Sequence, residues 1–522
     1  MHAAFYISGH GFGHSTRAIV TIEALAKRGH RVTVVTVSPS LLFDPLLSAY
    51  PNLLSVRRDS RALDPGIIQK DAVTVDSKKS MADMWAFLLT REERCEQEVS
   101  WLSQSGIDCV VLDAPFIPGV AARRCGIPSI LISNFSFDSI FDGFLGLDSS
   151  LGEQARAVCV QVREMYAHTD YLLRLPGAIP SPLFDGHRLK DAEDMKIWEF
   201  GAFERAVADA AEEQDRLTSP VIPENVNFAL QQLAEANKRP PPRLLQSHEV
   251  FELLQTMIEV PERARVYNIP LIVRTAMTPR EAFRSSLGIP LQAKVVLITF
   301  GGHNVTASTP DRAPSPVRHH PPNSLTTTKF VQQAIASMET LAVEKNASNV
   351  QIHVTQESAT SSPVSTLDHL IPADWHAIIA VPGPKGDLLD DYIEFTDPSR
   401  ITLTTPSAYV PDLLQASDVA VGKCGYGTCG EVIAHHVPFV YVPRPAFVEE
   451  VGLINNLMKP FGVSTEMSQK DFYSGNWACH ILKAYELGKK GPAARIQLNG
   501  AEVAAECIEN IVLVRRSIIG KN

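Results

Sequence analysis

The stretch "FYISGHGFGHSTRA", residues 5–18, decides how the chain begins to fold. The run from His2 to Ser8 has the composition of a buried strand, and a loop with three glycines follows it. Beyond the loop, apolar residues recur every three to four positions from about Ser15 to Lys27, which indicates a helix. A strand, a glycine loop and a helix in this order predict the first unit of an α/β domain.

Short runs rich in Val, Ile and Leu recur along the chain, with room for a helix between most of them. Such runs are typical of parallel strands that are buried on both faces of a sheet. In the first half, the further predicted strands are Arg31–Val37, Cys109–Asp113 and Ser129–Ser133. In the second half, they are Lys294–Phe300, Gln351–Thr355, Ala377–Val381, Ile401–Thr405, Val419–Lys423 and Phe439–Pro443. The pattern predicts two doubly wound, Rossmann-like α/β domains that face each other across a ligand cleft.

The two domains are predicted at residues 1–265 and 266–522, and two segments fit neither sheet. Residues 186–262 carry helical periodicity interrupted by prolines, which predicts a helical insertion. The apolar faces of these helices must be buried, and we expect them either to cover the acceptor side of the cleft or to form the contact of a homodimer. Residues 305–328 are rich in Pro, Ser and Thr without an apolar period, which predicts a disordered loop. We also expect the last helix to pack back on the first domain.

The composition argues against several functional classes. Of the 522 residues, 45% are hydrophobic and 20% are charged, which is ordinary for a globular chain with more than one core. A net charge of −10 without a Lys/Arg stripe argues against nucleic-acid binding. The sequence shows neither a long apolar span nor a signal peptide, so we expect a cytoplasmic protein that does not contact membranes. The eight cysteines lack zinc-site spacing, and we expect reduced thiols and no bound metal.

The glycine loop at residues 9–13 has two chemical interpretations. One is a dinucleotide fingerprint, but the third glycine of G-x-G-x-x-G falls on His14, and the second strand does not end in an acidic residue. The other is an acid–base pair. His14 begins a helix, whose dipole favours a neutral imidazole, and Asp113 ends another strand and can orient the ring. A packed loop histidine and a helix N-cap are the structural alternatives, and both stay open. We expect His10 to bond a ligand or the loop.

A second strand–loop–helix unit, "VAVGKCGYGTCGEVIAHHVPFVYVPRPAFVEE" at residues 419–450, has the character of an anion site. Gly425 and Gly427 let the backbone approach a ligand, and the helix N-terminus that follows favours a phosphate. Three side chains can complete such a site: Lys423 with a charge, Thr428 with a hydroxyl and Glu431 as a partner for a ribose diol. Tight packing of the strand against the helix is the alternative explanation of the turn.

The 419–450 stretch resembles the nucleotide-sugar donor motif of GT-B glycosyltransferases, which include the plant small-molecule UDP-glycosyltransferases. Their H-C-G-W-N-S-T-L-E core corresponds to "KCGYGTCGE", residues 423–431, and by this resemblance Gly425, Tyr426 and Gly427 lie on the donor side. By this resemblance, Lys423 replaces the phosphate-binding His, Thr428 matches a phosphate-contacting hydroxyl, and Glu431 matches the ribose-binding Glu. The Asp-Gln pair that reads the sugar falls on Glu449 and Glu450, and the base-stacking Trp falls near Thr405.

Motifs along the rest of the chain resemble, more narrowly, the N-terminal glycosyltransferase-like half of plant L-arabinokinases and their stand-alone microbial relatives. They are "YISGHGFGHSTR" (6–17), "LDPGIIQKDAVTVD" (63–76), "GIPSILISNFSFD" (126–138), "NIPLIVR" (268–274), "ITFGGHN" (298–304) and "GKCGYGTCGEVIAHHVPFVYV" (422–442). The kinase chemistry of those proteins lies in a separate C-terminal module with a Gly/Ser-rich phosphate loop. No such loop occurs in this sequence, so the resemblance implies no sugar-kinase activity.

The resemblance implies the GT-B fold and a glycosyltransferase that moves a sugar from a nucleotide sugar, a UDP-sugar, to a small-molecule acceptor. Transfer would be inverting and would need neither a metal nor another cofactor. The family's acceptor-activating His–Asp pair matches His14 and Asp113. We expect Gly301 and Gly302 on the donor side, and an acceptor cleft lined by His10, Gly11, Phe12, Gly13, Arg17 and Asn134. The alternatives are a nucleotide-sugar epimerase or hydrolase, and a sensor that binds without turnover.

Overall fold

The structure, a computed structural model, describes residues 1–10, 12–57, 62–69, 73–147, 151–181, 183–185, 265–300, 370–380, 400–404 and 408–519. Three predicted segments lie outside the described residues and stay predictions. They are the helical insertion at 186–262, the loop at 305–328 and the strand Gln351–Thr355.

The first half of the chain forms a seven-stranded parallel sheet with the order β3-β2-β1-β4-β5-β6-β7. Its strands are β1 (His2–Ile7), β2 (Arg31–Val35), β3 (Leu54–Arg57), β4 (Cys109–Asp113), β5 (Ser129–Ser133), β6 (Tyr171–Arg174) and β7 (Arg265–Asn268). Its helices are α1 (Phe12–Lys27), α2 (Asp44–Ala49), α3 (Ser77–Leu89), α4 (Arg91–Gln104), α5 (Ile117–Arg124), α6 (Phe137–Leu147) and α7 (Gly152–Tyr166). The order reverses between β1 and β4, where doubly wound sheets bind their ligands.

The second half repeats this plan in a six-stranded parallel sheet with the order β10-β9-β8-β11-β12-β13. Its strands are β8 (Lys294–Thr299), β9 (Trp375–Ala380), β10 (Ile401–Thr404), β11 (Val419–Gly422), β12 (Phe439–Tyr441) and β13 (Ser464–Glu466). Its helices are α8 (Arg280–Ser286), α9 (Val410–Gln415), α10 (Tyr426–Ala434), α11 (Glu449–Gly452), α12 (Lys459–Phe461), α13 (Gln469–Ser474), α14 (Ala478–Gly488) and α15 (Gly500–Ile519), and a π-helical turn, Leu453–Met458, joins α11 to α12. The two sheets confirm the predicted pair of doubly wound, Rossmann-like domains.

The predicted strands that the structure describes are present, each within a few residues of its expected bounds. Four short strands, β3, β6, β7 and β13, were not predicted, because each includes polar or charged residues that leave no clear apolar run. Helix α1 begins at Phe12, ahead of the expected Ser15. This earlier start places His14 inside the first helical turn.

One apolar core is continuous between the two halves. Ile22 of α1, Ile433 of α10 and Ile508 of α15 belong to the same buried cluster. Helix α15, the last helix described, packs along α1, and Arg28 Nε, just beyond α1, donates to Glu509 Oε2 at 2.9 Å. Helix α1, which follows β1, and helix α10, which follows β11, also contact each other directly.

Candidate active site

The first group of site residues lies where β1 and β4 end side by side. Ile7 of β1 is in register with Asp113 of β4, and the loop after β1 leads into α1 at Phe12. Gly9 is required in this loop, because a Cβ at that position would overlap the side chain of Val37. The tight loop brings the first turn of α1 to the end of β4.

His14 and Asp113, which are 99 residues apart in the sequence, form a hydrogen-bonded pair with Nδ1 2.7 Å from Oδ1. An ionised carboxylate can only accept, so Nδ1 carries a proton, and in the neutral ring Nε2 is the acceptor. The His14 side chain keeps 15% of its surface exposed, against 2% for Asp113. The structure brings together the two residues predicted as an acid–base pair, and it leaves the imidazole as the part that a ligand can reach.

Arg17, one turn further along α1, holds the other side of Asp113. Its Nε donates to Asp113 Oδ2 at 2.6 Å, and its Nη2 donates to Oδ1. Nη2 also lies 3.2 Å from His14 Nδ1, where two protonated nitrogens do not attract each other. Burial alone would raise the pKa of the Asp113 carboxyl, but the charges and hydrogen bonds of Arg17 and His14 outweigh it and hold that pKa below its ordinary value. Asp113 is therefore a carboxylate that His14 shares with a guanidinium.

Arg17 also links the two domains. Its Nη1 donates to Asn134 Oδ1 at 2.8 Å, and Asn134 Nδ2 donates to Oε1 of Glu449, the first residue of α11, at 2.9 Å. The guanidinium carbon lies 4.9 Å from the centre of the Tyr426 ring at the start of α10. Two predicted cleft residues, Arg17 and Asn134, thus connect the His14–Asp113 pair to two residues predicted on the donor side.

The other predicted cleft residues lie in the β1–α1 loop and the first turn of α1. His10 Nε2 donates to the main-chain oxygen of Asp64 at 3.0 Å, and 38% of the His10 side chain is exposed. A Cβ on Gly13 would meet no atom within 4 Å among those described, so the space beside it is open. Gly11 lies outside the described residues, and of Phe12 only the backbone is described.

The loop between β11 and α10 lies against this first group. Gly425 is the N-cap of α10 and has no side chain to occupy the N–H groups of the first helical turn. Lys423 Nζ lies 3.5 Å from Gln69 Oε1 of the first domain. A Cβ on Gly427 would lie 3.5 Å from Thr16 Oγ1 of α1. The positive ends of two helix dipoles therefore converge here, which favours an anionic ligand.

Two predicted donor residues lie further along α10. Thr428 is half-buried in the first turn, on the segment that Gly425 opens. Glu431 is buried, and its Oε1 accepts from Arg274 Nε at 2.7 Å. A second nitrogen of the same guanidinium lies 2.6 Å from this oxygen. Glu431 is therefore held in place by the Arg274 guanidinium.

Glu449 and Glu450, predicted to read the sugar, are both buried and have different partners. Glu449 accepts from Asn134 across the domain boundary. Glu450 accepts from the main-chain N and the Nε of Arg444, both at 2.8 Å. Burial raises the pKa of Glu450, against the opposing charge and hydrogen bonds of Arg444. Arg444 also donates to the main-chain oxygen of Cys424. The Arg444–Glu450 ion pair therefore helps to fix the backbone of the loop between β11 and α10.

Sequence reasoning missed two polar residues that the segment 62–69 carries to the site, Asp64 and Gln69. A signal existed, because both lie in "LDPGIIQKDAVTVD", one of the motifs that carry the family resemblance. It also missed Arg274, which ends the motif "NIPLIVR", and Arg444, which lies in the 419–450 stretch. Neither motif indicates that these arginines pair with the predicted glutamates. The predicted residues Gly301 and Gly302 lie outside the described part of the chain, as does Thr405.

Two kinds of feature are absent from the described residues. No three His, Cys, Asp or Glu side chains among them are arranged to hold a metal ion. None of the described helices is both long enough and apolar enough to cross a bilayer.

Comparison with known proteins gives one sequence relative and several structural neighbours. No family model matches the chain. L-arabinokinase of Arabidopsis thaliana is 25% identical over 513 residues, which are 98% of this chain and 34% of that protein. The chain therefore spans about a third of the length of this relative.

The structural neighbours align with nearly the whole chain but have low sequence identity to it. A UDP-glucosyltransferase from Polygonum tinctorium capable of glucosylating indoxyl has a TM-score of 0.48 at 12% identity, over 99% of this chain and 98% of that one. UGT2 of Phytolacca americana, complexed with UDP-2-fluoro-glucose and pterostilbene, has a TM-score of 0.45 at 13% identity, over 100% and 99%. CalG4, the calicheamicin glycosyltransferase, has a TM-score of 0.45 at 11% identity, over 99% and 98%. The chain thus has two doubly wound, Rossmann-type sheets, and 98% of it is similar to about a third of L-arabinokinase.

Proposed function

We propose that the protein transfers a sugar from a nucleotide-sugar donor, a UDP-sugar, to a hydroxyl of a small-molecule acceptor, with inversion and without a metal ion. The observation that carries the proposal is the position of the His14–Asp113 pair against the N-terminal turn of α10. A base on one domain and an anion site on the other are what transfer from a diphosphate leaving group requires. The nucleotide and the acceptor class rest on the resemblance of residues 419–450.

His14 is the proposed base. Because Nδ1 holds its proton toward Asp113, Nε2 takes the proton of the acceptor hydroxyl as the hydroxyl oxygen bonds to the anomeric carbon. In the same step, the bond from the anomeric carbon to the diphosphate oxygen breaks, and the nucleoside diphosphate leaves with the electron pair. Attack on the side opposite the leaving group inverts the configuration at that carbon.

The negative charge of the leaving diphosphate has three proposed partners. They are the first-turn N–H groups of α10, the ammonium of Lys423 and the hydroxyl of Thr428. These groups would stabilise the negative charge of the leaving diphosphate, which a divalent cation stabilises in other enzymes. Glu431, held in place by Arg274, is the proposed partner of the ribose diol.

A second candidate function is nucleotide-sugar sensing without turnover, and the contacts of Arg17 favour it. Arg17 binds both oxygens of Asp113, so part of the negative charge that would stabilise a His14 imidazolium is already neutralised. A sensor would keep the donor site and leave His14 without a catalytic task. Hydrolysis of the donor, a third outcome, would release free sugar without an acceptor.

Donor binding is the first test, by thermal shift with a panel of nucleoside diphosphates and nucleotide sugars. We expect a rise in melting temperature, since a ligand at 100 times its Kd stabilises by about 2.7 kcal/mol. Lys423→Ala and Glu431→Ala should each abolish the rise. Lys459→Ala is the matched control, because Lys459 is exposed and bonds only to Asn455 among the partners seen in the described residues. An undiminished rise in both site variants would remove the donor assignment.

Turnover is then read by mass spectrometry after the best donor has been incubated with a metabolite extract. A new mass that equals an extract component plus the sugar, less water, supports transfer. Free sugar without such a product supports hydrolysis, and an unchanged donor supports sensing.

A further inference from the structure

Asn134 occupies a buried position between the two domains. It follows β5, and only 1% of the residue is exposed. Its main-chain oxygen accepts from Ile179 N at 3.1 Å, which fixes the backbone. Its side chain joins Arg17 of the first domain to Glu449 of the second. The proposed transfer step itself does not use this amide.

The two charged neighbours of Asn134 require an amide between them. A guanidinium can only donate hydrogen bonds, and a carboxylate can only accept them. Asn134 Oδ1 accepts from Arg17 Nη1 at 2.8 Å, while Asn134 Nδ2 donates to Glu449 Oε1 at 2.9 Å. An aspartate at this position would keep the first bond but would place a negative charge against Glu449. A leucine would lose both bonds.

Glu449 is thereby held with one oxygen bonded and the other free. No described residue forms a hydrogen bond with its Oε2, and this oxygen is not fully buried. Val448, the preceding residue, packs so closely against α6 of the first domain that a Cβ on Gly143 would overlap its side chain. Both oxygens of Glu450, in contrast, already accept from Arg444. Of these two glutamates, Glu449 is the one with an oxygen left for a ligand.

The free oxygen belongs to a chain of contacts that reaches both the proposed base and the proposed diphosphate site. Asn134 connects Glu449 to Arg17. Arg17 Nη2 lies 3.2 Å from His14 Nδ1, and the guanidinium carbon lies 4.9 Å from the centre of the Tyr426 ring at the start of α10. In the proposed transfer step, the sugar ring lies between the base and this end of α10. A carboxylate oxygen beside that ring can accept from a sugar hydroxyl.

We propose that Asn134 is a positioning residue for the donor sugar that acts through Glu449: by bonding Oε1, it aims Oε2 at a hydroxyl of the sugar. Asn134 itself does not contact the ligand. Without the amide, the Glu449 side chain is no longer fixed, so the sugar part of the donor binds more weakly and the nucleotide part does not. The inference rests on donor binding as set out in the proposed function, and it does not depend on turnover.

The test compares the Kd of UDP with the Kd of the tightest binder in a set of UDP-hexoses and UDP-pentoses, by isothermal titration calorimetry. In Asn134→Leu we expect the Kd of the UDP-sugar to rise about tenfold, as for the loss of one hydrogen bond to a charged group, and the Kd of UDP to change by less than about twofold. Asn134→Asp keeps the bond to Arg17 and should give the same result, so it serves if Asn134→Leu does not fold.

Asn456→Leu is the matched control. Asn456 is exposed, and its Nδ2 donates to the main-chain oxygen of Ala178 across the same domain boundary at 2.9 Å. This variant therefore also loses a hydrogen bond of an asparagine between the domains, but it does not touch Glu449. Both dissociation constants should stay at their wild-type values.

A double-mutant cycle shows whether Asn134 acts through Glu449. Glu449→Ala should itself weaken binding of the UDP-sugar, and adding Asn134→Leu to it should cause no further rise in Kd. Equal changes for UDP and the UDP-sugar in the Asn134 variants would overturn the inference, since a purely structural residue would affect both ligands alike. A further rise in the double variant would also overturn it.

This inference and the proposed transfer reaction fail separately. Weakened binding of the UDP-sugar alone, in a protein that shows no turnover, would refute transfer and leave the role of Asn134. Turnover that depends on His14, with equal changes for UDP and the UDP-sugar, would refute the role of Asn134 alone. A wild-type protein that binds neither UDP nor any of its sugar conjugates would refute both.

Discussion

Replacing Arg17 by leucine tests whether Asp113 needs its buried ion pair with Arg17 to remain a carboxylate in the folded protein. The Arg17 and Asp113 side chains are only 4% and 2% exposed, and two nitrogens of Arg17 bind the two carboxylate oxygens. Removal of one member of a buried ion pair leaves an uncompensated charge and costs about 3–5 kcal/mol. The lost bond to Asn134 and the lost contact with Tyr426 act in the same direction. We expect the free energy of unfolding of Arg17→Leu, from urea titration at about pH 7.5, to fall by this amount.

The pH dependence of this loss identifies its cause. In the wild type, the lowered pKa of Asp113 contributes stability that is present above the ordinary carboxyl pKa and is lost as the pH falls through the lowered value. Without Arg17, burial would dominate and raise that pKa. As the pH falls, Asp113 would take up a proton, and the variant would lose less free energy of unfolding relative to wild type. The difference between variant and wild type should therefore be smaller at about pH 5 than at about pH 7.5.

Arg28→Leu is the matched control for Arg17→Leu. Arg28 pairs with Glu509 at the surface, where their side chains are 40% and 27% exposed, and such a pair is worth about 0–1 kcal/mol. A loss in Arg17→Leu no larger than in Arg28→Leu, or one that is equal at both pH values, would refute the account of Asp113.

Two further predictions concern the segment that carries Asp64. Asp64→Asn should raise the melting temperature at about pH 7.5, because it relieves a carboxyl group whose pKa burial raises and whose Oδ2 has no partner in the described residues. A carboxyl group with a raised pKa destabilises the folded protein only above its ordinary pKa, where the unfolded chain is ionised. Differential scanning calorimetry should therefore find that the gain in melting temperature disappears as the pH falls below about 4. A gain in melting temperature that persists below that pH would contradict this reason. Gly66→Ala should lower the free energy of unfolding by about 1–3 kcal/mol, because it places a side chain at positive φ against the His10 ring. Gly29→Ala also places alanine at positive φ but in open space, so an equal loss in both variants would show that contact with His10 contributes nothing.

Periodicity and composition predicted the two-domain plan because buried parallel strands leave a local mark. Val419–Lys423 was expected as a strand on its apolar run alone, and β11 spans Val419–Gly422. Strand β13, Ser464–Glu466, has only three residues and no apolar run, and its pairing with β12 sets its conformation. Local patterns therefore predict strands that bury both faces and miss those that depend on a neighbour.

The candidate site was predicted unevenly for a similar reason. His14 and Asp113 could be matched because each lies at the end of a strand–loop unit, and adjacent strands of a parallel sheet bring such ends together. Nothing local shows that Arg17 binds Asp113 or that Asp64 lies against His10, since these contacts join residues far apart in the sequence. The assignment of Glu450 to the sugar stays a prediction, and its buried pair with Arg444 is visible only in the fold.

The most direct test of the central claim is to compare His14→Gln with wild type in donor turnover and donor affinity, measured side by side. If His14 Nε2 removes the acceptor proton, the variant should lose about 10²–10⁴ in rate while its affinity for the donor, bound in the other domain, hardly changes. His168→Gln, an exposed histidine outside the site, should keep full turnover. Full turnover in His14→Gln would contradict the account, even if the donor still bound at the N-terminus of α10.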